Sequence, residues 1–411
     1  MTPRIPRSRP GSRRGFTLVE LMVAMTIGLG ITLAISSVLI ASEKHKRTTT
    51  STNDAQQTGT YGYYALDKAL RGAGSAIAGS AFPTDVGVLG CHLNVASGGT
   101  TIFPRPSAYP LPFANFPTAL NVAPVLIGKG LSPDGLSDII MIMGGSGSAG
   151  GVSRQITGGG SANTATLDNI VGFANNDLLL VSQSGVPDCL LEEVLSVAPP
   201  TPILNLGNTT TYSVATATST TMASLAANTA SYLTPLGNAA ANNVQFTLFG
   251  VDTNRTLYSY DLLRNLQLVG GAGGDTSQAI ADGIVQMNAI YGIDTNGNGT
   301  QDQWADPGLA ATWDINTVMG SPLKMKQIVS VRIALVVRGE YYDTARKPDG
   351  TPIPITPPTL TIFSGLHSGL NGTGPLLAQP INLSATEQQF RYRIFEFTVP
   401  LRNMLILAGG P

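Results

Sequence analysis

The sequence predicts an α+β chain: one long N-terminal helix, apolar in its first half, packed on a mainly antiparallel β-sheet domain with long loops. Three observations carry this. An apolar run extends from Phe16 to Ala41 with Glu20 as its only formal charge, long enough as a helix to cross a bilayer of about 30 Å. Apolar residues then recur at three- and four-residue steps at Tyr63, Leu66, Leu70 and Ala73, before glycines at 72, 74 and 79 that end a helix. Past residue 240 the period changes to two, with turn residues between the runs, which is the pattern of strands.

The first fifteen residues hold Arg4, Arg7, Arg9, Arg13 and Arg14 and no acid. Positive flanks stay on the cytoplasmic side, so the chain is expected N-in with its body outside the inner membrane. A secretory signal is cut after its apolar core. Here the candidate junction, Gly15-Phe16, precedes the core, so the helix would be retained. Glu20 lies inside the span, where a lone carboxylate is expensive and by default functional. Residues 16–41 therefore read as a transmembrane helix and 42–78 as its amphipathic continuation. Thr48–Thr52 is a weak helix former and a candidate break.

Charged residues make up 12% of the 411-residue chain and the formal net charge is −1. The charged share is about half the usual level. No basic stripe with interleaved aromatics appears, so no nucleic acid is expected as a partner. The two cysteines, Cys91 and Cys189, would both lie in the periplasm, where disulfides persist, and are a candidate bridge. The histidines, His45, His92 and His367, are scattered and have no zinc spacing.

Residues 80–411 form the expected extracytoplasmic domain. Within it 80–240 read as loop-rich, with short apolar strands only at Asp138–Met143 and Leu178–Val181. From 242 onwards strands are expected at Val244–Val251, Leu257–Leu262, Ile284–Ile293, Gln327–Arg338 and Phe390–Val399. In Gln327–Arg338, Val329, Val331, Ile333, Leu335 and Val337 alternate with Ser330, Arg332 and Arg338, a half-buried antiparallel strand. Residues 343–386 read as a Pro/Gly-rich loop.

Asp294-x-Asn296-x-Asn298-Gly299-Thr300-x-Asp302 matches the first part of an EF-hand loop, with oxygen ligands at positions 1, 3, 5 and 9 and the Thr300 carbonyl at 7. Ala305 stands where the bidentate Glu belongs. The two readings are a weak calcium site, in the roughly 10⁻⁴ M class of extracellular modules, and a plain hairpin tip. Asp252-Thr253-Asn254 opens the same way and then lacks both Gly and acid, so Asp-Thr-Asn by itself means a turn. Gly145-x-Gly147-x-x-Gly150 fits a dinucleotide fingerprint in form, but the residues after it do not read as a helix. No GxSxG, HExxH or paired Cys-x-x-Cys motif occurs, and no enzyme is expected. Trp304 and Trp313 are candidates for core packing beneath the Asp294 loop or for a partner patch.

The stretch Arg14-Gly15-Phe16-Thr17-Leu18-Val19-Glu20-Leu21 resembles the prepilin N-terminal methylation signal. Asp282-Gly283-Ile284-Val285, Tyr291-Gly292-Ile293-Asp294, Val331 to Leu335, Tyr392 to Glu396 and Val399 to Asn403 resemble the PilW family of type IV pilus minor pilins, itself similar to the J-type minor pseudopilins. The resemblance covers about residues 13–80 and 275–411. It implies a type IV pilin-like fold, with a leader at 1–15 cut after Gly15 by a prepilin peptidase and methylation of Phe16. It implies that Glu20 contacts the N-terminal amine of a neighbouring subunit. It implies a low-abundance subunit that helps initiate pilus assembly in a tip complex with other minor pilins, the major pilin and a large tip adhesin. The rival readings are a type II secretion minor pseudopilin and a pilin-anchored adhesin or ligand-binding protein.

Overall fold

The computed structural model describes residues 15–78, 87–146, 152–158, 161, 163–207, 211–213, 220–263, 277–308, 312–343 and 346–408. The arginine-rich leader and most of the Gly145–Gly150 motif lie outside them. In chain order the elements are α1 (Leu18–Gly72), β1 (His92–Ser97), β2 (Thr100–Phe103), β3 (Val125–Gly128), β4 (Ile139–Gly144), β5 (Arg154–Gly158), β6 (Thr164–Leu167) and β7 (Asp177–Gln183). There follow β8 (Asp188–Val197), β9 (Ile203–Leu206), β10 (Tyr212–Ser213), α2 (Met222–Ala226), β11 (Ser231–Asn238), β12 (Gln245–Val251), β13 (Thr256–Asp261) and β14 (Gln278–Asp282). The last third holds β15 (Ile284–Ile293), β16 (Gln303–Ala305), α3 (Ile315–Met319), α4 (Pro322–Gln327), β17 (Ile328–Arg338), β18 (Thr359–Ile362), β19 (Gln379–Asn382), β20 (Tyr392–Pro400) and α5 (Arg402–Ala408). A long apolar N-terminal helix and a mostly antiparallel β domain make this an α+β chain.

The chain divides after Asn53 into two compact units. The first contains the apolar part of α1. Its large apolar side chains from Phe16 to Ile40 are exposed, and the helix is long and apolar enough to cross a membrane. The helix runs unbroken through the threonine tract. There Thr49 and Thr52 turn their hydroxyls back to the carbonyls of His45 and Thr48, each at 2.9 Å, local bonds that the helix accommodates without breaking.

In the second unit α1 buries Ala55, Leu66, Ala69 and Leu70. Gly59 and Gly62 let the sheet approach closely: a Cβ on Gly59 would lie 2.1 Å from Phe395 and one on Gly62 3.0 Å from Ile284. Tyr63 meets Phe397 edge-on at 4.5 Å. The helix ends at Gly72, the first of the glycines expected to stop it. Gly74 takes φ +76° and donates its N–H to Met143 O at 2.9 Å, so the backbone turns off onto the end of β4. The free carbonyl of Ala73 accepts Asn403 Nδ2 at 2.9 Å, a partner that the last turn of a helix requires.

The sheets correct the loop-rich reading of 80–240. Strands β1, β2 and β5 to β11 form one nine-stranded sheet, in which β8-β7-β11-β5-β6-β9 closes on itself through a β8–β9 pairing. The result is a six-stranded barrel around Ile156, Leu167, Leu179, Val181, Leu190, Leu204 and Leu233, with Met222 and Leu225 of α2 in the same core. The run Leu178–Val181 shows no alternation because both of its faces are covered. Leu178 and Leu180 belong to the main core, Leu179 and Val181 to the barrel. β3 and β4 leave this region to join β12, giving the order β14-β13-β12-β4-β3. The boundary at 240 is thus crossed by a shared sheet.

The third sheet runs β16-β15-β17-β20, antiparallel throughout. β17 is buried on both faces rather than one. Val331, Ile333, Leu335 and Val337 face the main core with Leu66 and Leu70. Ala334 and Val336 face a second cluster with Ile362, Phe363, Leu377 and Ile381. Those last four come from 343–386, read above as loop, which carries the β18–β19 ribbon and covers the face expected to be solvated. Glu396 of β20 ties the ribbon down, accepting Phe363 N–H and Arg332 Nη2 at 2.7 Å each.

Candidate functional site

The N-terminal segment presents a reciprocal cap. With helix α1 starting at Leu18, Thr17 occupies the N-cap and Glu20 the third helical position. Thr17 donates its backbone N–H and its hydroxyl to Glu20 Oε2 at 2.9 and 3.0 Å, and Glu20 N–H donates back to Thr17 Oγ1 at 3.3 Å. This is a capping box, which satisfies helix-terminal donors that have no partner within the helix. Gly15 and Phe16 precede it, outside the helix and exposed. Phe16 and Thr17 thus lead directly into the first turn of an apolar helix, and that turn holds Glu20, its one carboxylate, at the electropositive end.

The Asp294 loop folds around its carboxylates. Asp294 is buried. Its Oδ1 accepts the N–H groups of Asn296, Gly297 and Asn298 at 3.2, 2.7 and 3.3 Å, and its Oδ2 that of Gly299 at 2.7 Å. Asp302 Oδ2 accepts Thr295 N–H and Oγ1, each at 2.9 Å. The Thr295 amide holds this carboxyl below the usual carboxylate range. Asn298 Oδ1 accepts Thr300 N–H at 2.8 Å. The oxygens that a calcium loop would aim at a cation are engaged with the loop's own donors, while Gly297 and Gly299 take positive φ. Among the described residues no three His, Cys, Asp or Glu side chains gather as metal ligands. Behind the loop Trp304 is buried in the ribbon core. Trp313 is half-buried, 6.4 Å from Tyr291, with Lys324 Nζ over its ring at 4.5 Å.

Cys91 and Cys189 form a disulfide with Cα atoms 5.6 Å apart. It staples β1 to β8, the parallel pair of the sheet, in which His92 lies opposite Asp188. Asp188 accepts Thr220 Oγ1 at 2.9 Å and lies 3.5 Å from His92 Nδ1.

An ionic cluster escaped the sequence reading. Lys129, just past β3, has Nζ 3.6 Å from Asp138 Oδ2 and 3.7 Å from Asp306 Oδ1. Asp138 is fully buried and accepts Gly130 N–H at 2.9 Å and Ala289 N–H at 2.8 Å. Burial pushes its carboxyl up to about 6 against the pull of Lys129. Asp306 accepts Gly308 N–H at 2.8 Å and Gln379 Nε2 at 2.6 Å, and Gln379 Oε1 accepts Lys129 Nζ at 2.9 Å. Burial likewise raises the Tyr291 phenol, whose oxygen accepts Ile127 N–H at 2.6 Å. Residues 129, 138, 306 and 379 share no local spacing, so nothing in the linear pattern brings them together.

Two family models match. Residues 248–403 match PilW, the type IV pilus-assembly protein W family. Residues 11–29 match the prokaryotic N-terminal methylation motif. The first match spans β13 to β20 and so contains the whole β16-β15-β17-β20 sheet. The second contains the Gly15–Glu20 cap. The barrel lies outside both. No curated protein and no solved structure matches the chain.

Proposed function

We propose that this chain, a PilW-type prepilin-like pilin, works as an assembly subunit that helps initiate type IV pili, in a tip complex with other minor pilins. The observation that carries the reading is the exposed apolar helix headed by Gly15-Phe16 and capped through Glu20. An apolar surface of that length has two stable environments, lipid and a bundle of like helices. In the bundle the Glu20 carboxylate would meet the amine of a neighbour's methylated Phe16, and a charge in an apolar medium is tolerated when paired. Glu20 thus favours the assembled state over the lone subunit. On this reading a prepilin peptidase cuts after Gly15. The body then lies outside the inner membrane, and the chain later passes to the filament. Other minor pilins, the major pilin and a tip adhesin are its partners. Its role is structural rather than enzymatic.

The deciding experiment is the intact mass and N-terminal sequence of membrane-extracted protein, with and without a co-expressed prepilin peptidase. A peptidase-dependent start at methylated Phe16 supports the reading, and a Met1 start or a cut near Ala41 overturns it. Glu20→Ala should insert normally yet fail to enter filaments. Normal incorporation would remove the assembly role of Glu20. A type II secretion pseudopilin would share this chemistry in a different machine, and the neighbouring genes separate the two. A second reading, a pilin-anchored adhesin, is favoured by one observation: the barrel has its own core and lies outside the family-matched segments.

The Asp294–Asp302 loop is proposed as a self-satisfied hairpin tip, with calcium binding as its second reading.

A further inference from the structure

We propose that Lys129 and Asp306 condense into an intramolecular amide bond between Nζ and the Asp306 side-chain carbonyl carbon, with Asp138 as the proton carrier. Three features of the cluster lead there. The nucleophile and the electrophile are held together by rigid surroundings: Lys129 follows β3 directly and Asp306 follows β16 directly. Lys129 Nζ is 3.7 Å from Asp306 Oδ1, so the amine already lies against the carboxyl whose carbon it attacks, and proximity of this kind removes much of the entropic cost of bringing the two groups together. The Asp306 carboxyl is polarised on both oxygens, by Gly308 N–H on Oδ1 and by the Gln379 amide on Oδ2. Donors fixed in this way stabilise the oxyanion that forms when an amine adds to a carboxyl carbon. Asp138 Oδ2 lies 3.6 Å from the same Nζ, with none of its own side chain exposed.

The groups facing Asp138 are Lys129, Asp306 and Tyr291. A carboxyl whose affinity for protons has been moved toward neutrality by burial accepts and returns a proton at physiological pH. The Asp138 side chain takes a proton from the Lys129 ammonium and frees its lone pair. The Nζ–Cγ bond forms, and one Cγ–O bond of Asp306 breaks. Two of the three ammonium protons leave with the departing oxygen as one water. Asp138 relays them and ends in its starting state. No oxidant, reductant or cofactor enters the balance. The reaction removes one cation and one anion from a largely buried site, where keeping such charges is costly. The product is a second covalent tie in the domain, joining the β3–β4 sheet to the β16 side of the β15–β17 sheet.

The test is the intact mass of the full-length chain, purified in detergent and fully reduced so that the disulfide does not contribute, followed by a peptide map. The expected mass is lower than the sequence mass by one water, beyond any N-terminal processing, with a branched peptide linking the Lys129 and Asp306 segments. Lys129→Arg and Asp306→Ala should each restore the missing water. Asp138→Asn should restore it too while Lys129 and Asp306 remain in place, its folding checked by tryptophan fluorescence and by the Cys91–Cys189 bond. A wild-type chain at full mass overturns the proposal without recourse to any variant. Undiminished cross-linking in Asp138→Asn overturns the role given to Asp138.

Discussion

Gly144→Ala tests the joint between the long helix and the β domain. Gly144 ends β4, and a Cβ there would lie 2.4 Å from the carbonyl oxygen of Gly72 and 3.3 Å from its carbon. The obstacle is backbone at the last residue of α1, so no rotamer change relieves it. The neighbouring bonds, Gly74 N–H to Met143 O at 2.9 Å and Gly145 N–H to Ser75 O at 3.0 Å, resist separation of the two segments. Overpacking of this kind costs about 1–3 kcal/mol. The backbone obstacle places Gly144 at the upper end of that range. Replacing a strand glycine by alanine returns roughly 0.5–1 kcal/mol through backbone entropy. The net expectation is a loss of about 2 kcal/mol, which is a roughly 30-fold fall in the ratio of folded to unfolded protein. Both tryptophans of the chain, Trp304 and Trp313, lie in the β domain, so urea unfolding followed by their fluorescence reads this domain. Gly59→Ala is the companion variant. Its clash at 2.1 Å is with the Phe395 ring, so shortening that side chain in Gly59→Ala/Phe395→Leu should recover part of the loss. Gly144→Ala at the wild-type urea midpoint would refute the reasoning, since the helix end would then have room to move.

Three further expectations concern charge and cross-links. With Lys129 and Asp306 unlinked and charged, burial pushes the Asp138 carboxyl up to about 6 in the folded chain, against roughly 4 in an unfolded one. The folded state therefore binds more protons between these values, and stability should rise as pH falls from 7 through 6 toward 4. Asp138→Asn should flatten that part of the unfolding profile measured across pH. Cys91→Ser with Cys189→Ser should lower stability by about 2–5 kcal/mol in urea titrations, and a reductant should do the same to the wild type alone. Asp294→Ala should destabilise the domain by about 1–3 kcal/mol through the orphaned loop amides, equally with calcium and with chelator. A calcium-dependent rise in the wild-type melting temperature would instead favour the metal reading.

Strands β15 and β17 were legible in the sequence because each is a long apolar stretch with plain punctuation, and β20 because its aromatic and branched residues are interleaved with Arg393, Glu396 and Thr398. The Ile284–Ile293 span falls where expected. The end of α1 at Gly72 falls at the glycines expected to stop it, and a tertiary bond to Met143 turns the chain at Gly74. The barrel was illegible for two reasons. β6 and β9 have four residues each, too short for periodicity, and β7 divides its apolar residues between two cores. At the N-terminus Gly15, Phe16 and Glu20 stand out because they are contiguous, and the Thr17 cap follows from the same eight residues. Two cysteines admit one intramolecular pair, and it is present. The Lys129, Asp138 and Asp306 cluster had no such advantage, because only the meeting of β3, β4 and β16 creates it.

Gln245 of β12 pairs directly with Gly144 of β4, so the hundred or so residues between them leave and re-enter at a single rung. In topological terms the barrel is cargo carried at the tip of a hairpin. Loop closure depends on length only logarithmically, about 0.6 kcal/mol for each doubling. A cargo could therefore grow, shrink or be exchanged with little strain on the four-stranded sheet that the family model describes. β1 and its bond to Cys189 supply the second anchor, a mooring line that fixes the cargo's orientation. Exchange of the barrel among related chains would then proceed by replacing one hairpin tip and one cysteine pair, leaving the anchoring helix and its docking sheet untouched.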